Sequence, residues 1–432
     1  MVSGILIVLG LVILLRGIGY GQFVTVVDDE EVSKDDVTIE LIQEDKATQR
    51  SDVNVNSYVN VEGNDESDVA IVSENDIVMV QVEKLLAEMT LEEKIYQMFI
   101  VTPEQLTGVF TVTAAGNTTR KKLVQYPVGG LIYSSANLVS EEQTKMMLSE
   151  IQKISAEIEG VHLFLCVDEE GGRVARIANN KAFNVEKVVP MANVSSEKEA
   201  YSCGDIIGAY LSELGFNVDF APDADVLTNS SNSVIGDRSF GSDAEIVTKY
   251  AVAYSDGLHA NGIMSTFKHF PGHGATEADT HEGYAYTNRS YEELLETELK
   301  PFFAAQENGI DMVMVAHISI PTVIGDDTPC SLSEKMVTGV LRNKLQYEGI
   351  IITDALNMGV ISENFDSSSA AIMAIKAGVD LILMPCDFKS AYSGIYAAVE
   401  NGELSEKRID ESVKRILFAK IKLSEDNLKE NF

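Results

Sequence analysis

The chain has 432 residues, 45% of them apolar, enough to bury one barrel-sized core or two smaller ones. It carries 67 acidic against 33 basic side chains, a formal charge of −34, and such a surface repels phosphate backbones, which argues against nucleic-acid binding. The excess is uneven: residues 28–76 hold 16 acids and 3 bases, whereas residues 77–432 hold 51 and 29.

Residues 2–15 form an uncharged apolar run of 14, short for a membrane span and about the length of a signal-peptide core. No Lys or Arg precedes the run, Arg16 follows it, and neither a small-x-small cleavage site nor a lipobox cysteine is present. Residues 1–27 are therefore expected to be an export signal or an uncleaved anchor that associates with a membrane, a buried N-terminal helix being the alternative. Residues 28–76 are acidic and polar, with Tyr58 as their one aromatic, and bury too little apolar area to offset ordering entropy. They are expected to form a disordered, self-repelling spacer.

Order is expected from residue 77. Val82, Leu85, Leu86 and Met89 have helical spacing, and Thr90 with Glu93 reads as a capping box opening a second helix. Eight short apolar runs then read as strands, at 97–101, 128–133, 162–167, 216–221, 263–268, 311–316, 349–353 and 379–384. Helical patterns separate most of them, including 142–159, 244–261, 291–308 and 368–377. A last helix, 405–422, sets Ile409, Val413, Ile416 and Leu417 on one face. Continuous apolar strands alternating with helices predict an α/β fold with a parallel sheet, and eight such units suit a (β/α)8 TIM-like barrel over 77–432. An open doubly wound sheet is the alternative. Cys166, Cys203, Cys330 and Cys386 form no CxxC pair and read as small hydrophobes.

Polar residues follow the predicted strands directly: Asp168 the third, Asp223 and Asp225 the fourth, His269 the fifth, His317 the sixth, Asp354 the seventh. Barrel enzymes place their chemistry at strand C-terminal ends. The densest stretch, KHFPGHGATEADTH over 268–281, holds three of the six histidines. His269 and His273 are four apart, but Pro271, Gly272 and Gly274 break the helix that a two-histidine metal site needs, so no metal is expected. Asp279 and His281 are two apart, where a carboxylate can fix the imidazole tautomer and make a general acid/base; a surface Asp–His pair is the bland reading. Asp354 ends a buried strand, as a helix cap or as a carboxylate nucleophile.

The stretches Asp168-Glu-Glu-Gly-Gly-Arg-Val-Ala-Arg176, Phe220-Ala-Pro-Asp-Ala-Asp-Val226, Val234-Ile-Gly-Asp-Arg-Ser-Phe-Gly241, 268–281, Ala316-His317 and Ile352-Thr-Asp-Ala-Leu-Asn-Met-Gly359 together resemble a family 3 glycoside hydrolase of the β-N-acetylglucosaminidase branch. They are collinear across roughly residues 80–420. The resemblance implies a (β/α)8 catalytic domain that needs no cofactor. It makes Asp354 the nucleophile, His281 the acid/base and Asp279 its partner, with Asp168, Arg176, Arg238, Lys268 and His269 binding the sugar hydroxyls. Two departures stand out. Glu169 replaces the usual glutamine, which implies an added charge beside the sugar. Ser230-Ser-Asn-Ser233 replaces an asparagine/proline-rich turn, which implies a looser turn. With the chain ending at Phe432, the acid/base is expected on the barrel loops, where His281 fits.

The implied activity is retaining exo-cleavage of terminal GlcNAc from peptidoglycan-derived or other saccharides. A histidine acid/base repels an anionic acceptor less than a carboxylate does, so phosphate is a candidate competitor of water. A β-glucosidase or β-xylosidase and a carbohydrate-binding protein with dead chemistry are the rival readings. The expected setting is the bacterial cell surface, membrane-anchored or secreted, with a cytoplasmic role as the alternative. No protein partner is inferable.

Overall fold

The computed structural model describes residues 22–27, 38–43, 57–61, 69–276 and 285–430. The chain divides into two compact units, residues 1–87 and 88–432. In the first, four strands form one sheet in the order Thr38–Gln43, Gln22–Val27, Ser57–Val61, Val69–Val72. The outer pairs run antiparallel and the central pair parallel. Three of these strands fall within 28–76, so the expected spacer carries structure there, in segments rich in β-branched residues (TIELIQ, SYVNV, VAIV). The rest of that stretch, and the apolar run 2–15, lie outside the described residues. Helix Glu74–Glu88 follows, with Val78, Val82 and Leu86 buried. Among the described residues no helix is long and apolar enough to cross a membrane.

The second unit is α/β. Besides one short hairpin, its described strands are β1 (Phe99–Val101), β2 (Gly130–Ile132), β3 (Phe164–Val167), β4 (Val218–Asp219), β5 (Thr266–Phe270), β6 (Met312–Val315), β7 (Ile350–Thr353) and β8 (Ile382–Leu383). Seven fall within the predicted windows, and β5 runs on to Phe270. One sheet has the order β4-β3-β2-β1-β8 and another β5-β6-β7, and every pairing is parallel. Parallel bridges also join Val218 to Met264 and Ile352 to Leu381. Beside them, Thr266 N donates to the Ala221 carbonyl and Thr353 N to the Leu381 carbonyl, at 2.8 and 3.0 Å. The strands are buried along nearly their whole length, as parallel strands covered on both faces must be.

Side-chain caps start the helices where the sequence places them. Thr90 and Glu93 form the predicted capping box of Leu91–Gln97, and Ser140 and Asp243 cap Glu141–Glu159 and Ala244–His259. The helix expected over 291–308 is instead two, Tyr291–Glu296 and Lys300–Glu307. Pro301 fits the first turn of the second but would break the interior of one long helix. The last helix, Glu406–Glu430, buries Ile409, Val413, Ile416 and Leu417. It is pinned by Arg408, Ser412 and Arg415 around buried Asp380, whose carboxylate also accepts the amide of Ile351.

Candidate active site

Strand β3 ends at Val167 and leads into a hairpin, Glu169–Gly171 with Val174–Ala175. Gly171 and Gly172 both adopt positive φ at its turn, which explains the adjacent glycines. In extended backbone successive side chains point to opposite sides. Asp168 and Glu170 accordingly share one side and meet Lys268 of β5: its Nζ stands 3.1 Å from Asp168 and 2.6 Å from Glu170. Glu169 faces the other way and is fully buried. Its two oxygens accept the amides of Ile177 and Ala178 and the Tyr210 hydroxyl, each at 2.8 Å. The charge expected beside the sugar is therefore not supplied by Glu169, which braces the hairpin. The carboxylate that shares a side with Asp168 is Glu170, which the sequence reading missed and which the two-residue spacing could have revealed.

Arg238 sits on the turn Gly236–Arg238 and grips Glu170 with both Nε (2.8 Å) and Nη2 (2.7 Å). Burial would raise the Glu170 pKa, but Arg238 and Lys268 outweigh it and hold the carboxyl below its ordinary value. Burial would likewise depress Lys268, and Glu170 and Asp168 raise it instead. Arg176 reaches Asp168 at 3.5 Å with its side chain more exposed than the others. The result is an alternating cluster of ionised groups, partly open at Asp168, shaped to exchange hydrogen bonds with a polyhydroxylated ligand.

His269 is buried beside this cluster. Burial and the Arg238 guanidinium push its pKa down to about 4, so the ring is neutral near pH 7. Its Nδ1 lies 2.7 Å from Asp225 and its Nε2 lies 3.3 Å from Arg238. An arginine only donates, so Nε2 accepts and Nδ1 carries the proton. Asp225 and Asp223, in the segment that follows β4, are fully buried; burial and Asp225 push Asp223 up to about 7. Asp223, Asp225 and His269 present ligand atoms within 4.8 Å of one another, a spacing that can hold a cation. Asp225 is already bonded to His269 and the His273 amide, while the Asp223 Oδ2 faces Arg238 at 3.5 Å without a hydrogen bond. A cation there would break these bonds and face a guanidinium.

Asp354 lies directly after β7, half-buried, with its amide bonded to the Val315 carbonyl and its Oδ1 accepting the Ala355 amide at 2.7 Å. Burial alone would raise its pKa; His317, His269, the Ala355 amide and Lys268 together hold it below the usual value. His317, after β6, is oriented by Ser331 at 2.7 Å and the Ala355 carbonyl at 3.0 Å. The structure thus gathers Asp168, Arg176, Arg238, Lys268 and His269 around one end of the strands, and sets Asp354 within electrostatic reach of Lys268 and His269. Asp279 and His281 lie outside the described residues. The turn expected to be loose is held by Asn232, whose Oδ1 accepts the Val234 and Ile235 amides and whose Nδ2 donates to the His273 carbonyl.

Residues 90–419 match the family described as "Glycosyl hydrolase family 3 N terminal domain". The chain is 32% identical to "Beta-hexosaminidase A" of Pseudoalteromonas piscicida, over 70% of this chain and 55% of that protein. It is 34% identical to "Beta-hexosaminidase" of Hydrogenovibrio crunogenus, over 67% of this chain and 81% of that protein. The fold is similar to that of a glycoside hydrolase family 3 β-N-acetylglucosaminidase from Paenibacillus sp. str. FPU-7, with a TM-score of 0.73 and 36% identity, covering 78% of this chain and 63% of that one. The chain therefore spans little more than half of the first relative and under two thirds of the solved structure.

Proposed function

The chain belongs to glycosyl hydrolase family 3, and from that premise we propose that it is a retaining exo-β-N-acetylglucosaminidase. The observation that carries the reading is Asp354: a carboxylate held in its ionised form at a strand end, within electrostatic reach of His269 and of Lys268, which pairs with Asp168 and Glu170. The GlcNAc specificity is supported by the names of the relatives, β-hexosaminidases and a β-N-acetylglucosaminidase.

In the proposed reaction Asp354 attacks the anomeric carbon, the bond to the aglycone oxygen breaks, and His281, poised by Asp279, gives that oxygen a proton. His281 then takes a proton from water, which attacks the same carbon and releases Asp354. Asp168, Glu170, Lys268, Arg238 and His269 hold the hydroxyls of the sugar transferred to Asp354, and Arg176 joins them from the rim. The architecture proposed is a closed (β/α)8 barrel, supported by eight parallel strands and by the bridges at Val218–Met264 and Ile352–Leu381. Residues 1–27 are proposed to export or anchor it, which places the substrate, a GlcNAc saccharide of peptidoglycan type, outside the cell.

Assaying p-nitrophenyl glycosides of GlcNAc, glucose and xylose tests the reading. Preference for the GlcNAc substrate is expected, and preference for glucose or xylose overturns the specificity. Product analysis in phosphate buffer separates free sugar from sugar-1-phosphate. Comparing washed membranes, medium and cytosol tests the location.

A further inference from the structure

His317 follows β6, and no step of the proposed reaction uses it. It is fully buried, as is Ser331. A leucine would fill the same space without the cost of desolvating an imidazole; what the imidazole adds is two hydrogen bonds. Its Nε2 stands 3.0 Å from the Ala355 carbonyl, which only accepts, so Nε2 carries a proton and is the donor. Its Nδ1 stands 2.7 Å from the Ser331 hydroxyl. Ser331 is fixed in turn, its amide donating to the Ala316 carbonyl at 3.1 Å. The ring therefore cannot turn without breaking a buried bond.

Ala355 is the residue after Asp354, and the backbone around the pair is fastened to the strands on either side. Asp354 N donates to the Val315 carbonyl of β6 and Leu356 N to the Leu383 carbonyl of β8, each at 2.9 Å. Between them the Ala355 carbonyl takes two donors, the Met358 amide at 3.1 Å and His317. The Met358 bond lies within the turn and would move with it, whereas the His317 bond ties the turn to the end of β6. The amide of the same Ala355 donates to Asp354 Oδ1 at 2.7 Å, and among the described residues Oδ2 accepts no hydrogen bond. A donor on Oδ1 draws charge towards it and leaves Oδ2 as the oxygen free to attack.

We propose that His317 is a positioning residue for the nucleophile: by holding the Ala355 carbonyl it keeps the Ala355 amide on Asp354 Oδ1 and presents Oδ2 to the anomeric carbon. Oδ2 supplies the electron pair of the new bond, and the pair of the breaking bond leaves with the aglycone oxygen. The inference rests on the assignment of Asp354 as nucleophile. It concerns the attacking oxygen, so loss of His317 should slow attack and leave the sugar-binding cluster intact.

The test compares His317→Leu, His317→Gln and Ser331→Ala with wild type. Two rates report attack by Asp354 without proton delivery: kcat/KM for 2,4-dinitrophenyl-GlcNAc, whose leaving group needs no proton, and the rate of adduct formation with a 2-deoxy-2-fluoro glycosyl donor. The Kd for GlcNAc reports the sugar cluster. Misplacing a reacting group by an ångström costs about 10²-fold, so His317→Leu should slow both rates about tenfold or more while the GlcNAc Kd stays within about twofold. His317→Gln, whose amide N–H reaches where Nε2 stood, should recover most of the loss, and Ser331→Ala, which frees the ring to turn, should fall between. Equal losses in His317→Leu and His317→Gln, a loss carried by GlcNAc binding, or wild-type rates in both His317→Leu and Ser331→Ala overturn the proposal. If His317→Leu does not melt cooperatively, Ser331→Ala decides alone: slower attack at unchanged GlcNAc binding supports the proposal, and wild-type rates overturn it. A wild-type adduct on a residue other than Asp354 overturns the nucleophile assignment and this inference together. An adduct on Asp354 that forms as fast in the variants as in wild type overturns this inference only.

Discussion

The Nδ1 of His269 stands 2.7 Å from Asp225, and the same carboxylate accepts the backbone amides of His269 and His273. Asp225 thus fixes both the ring and the backbone of the segment that carries Lys268. Asp225→Asn offers an amide group where an acceptor is required and lets the imidazole turn or change tautomer. The expected outcome is a loss of at least about tenfold in kcat/KM for p-nitrophenyl-GlcNAc, with a changed ¹⁵N signature of the His269 ring; an unchanged tautomer would contradict the assignment.

Asp354→Asn should remove more than about a thousandfold of kcat, as loss of a nucleophile does. Its melting temperature should fall slightly, because the fold holds the carboxylate below its ordinary pKa and so favours the charged form that the amide removes. In the wild type, intact-protein mass after treatment with a 2-deoxy-2-fluoro glycosyl donor should show one added sugar, located on Asp354.

Lys268→Met should behave differently. It leaves Asp168 and Glu170 without the ammonium that lies between them. Breaking a buried pair costs about 3–5 kcal/mol, so thermal stability should fall together with a rise in KM. Loss of binding at undiminished stability would show that the cluster carries little of the fold.

Glu169→Gln separates a brace from a binding group. KM should remain within about twofold of wild type, while stability falls by about 1–3 kcal/mol, because an amide accepts only one of the two backbone N–H groups. Burial raises the Glu169 pKa, outweighing the hydrogen bonds that lower it. A raised carboxylate stabilises the fold below its ordinary pKa and loses that contribution as pH climbs through the folded value. The stability gap between wild type and variant should therefore be widest in acid and narrow as pH rises, which melting curves across pH 4–8 would check.

The strands were legible because a parallel strand buried on both faces is written as a continuous apolar run. Asp354, Lys268 and His269 were legible because each sits at the end of such a run. Glu170 and Asp225 were harder to see, since their roles depend on Arg238 and His273, distant in sequence and brought close by the fold. Glu169 misled for a related reason: motif position says nothing of which side of a hairpin a residue takes, and backbone alternation does. The break at Thr297–Leu299 was hidden by a helical pattern that continues across Pro301.

The ion pairs of Lys268 and Arg238 join β5 and the Gly236–Arg238 turn to the hairpin that follows β3. Groups proposed to grasp the sugar are thereby also fasteners between separate parts of the chain. Laboratory selection for heat tolerance, with no substrate present, should then retain Lys268, Glu170 and Arg238 while letting Asp354 drift. An inactive but hardy descendant would keep an intact sugar cradle around a missing nucleophile, and the wear pattern itself would tell the two kinds of residue apart.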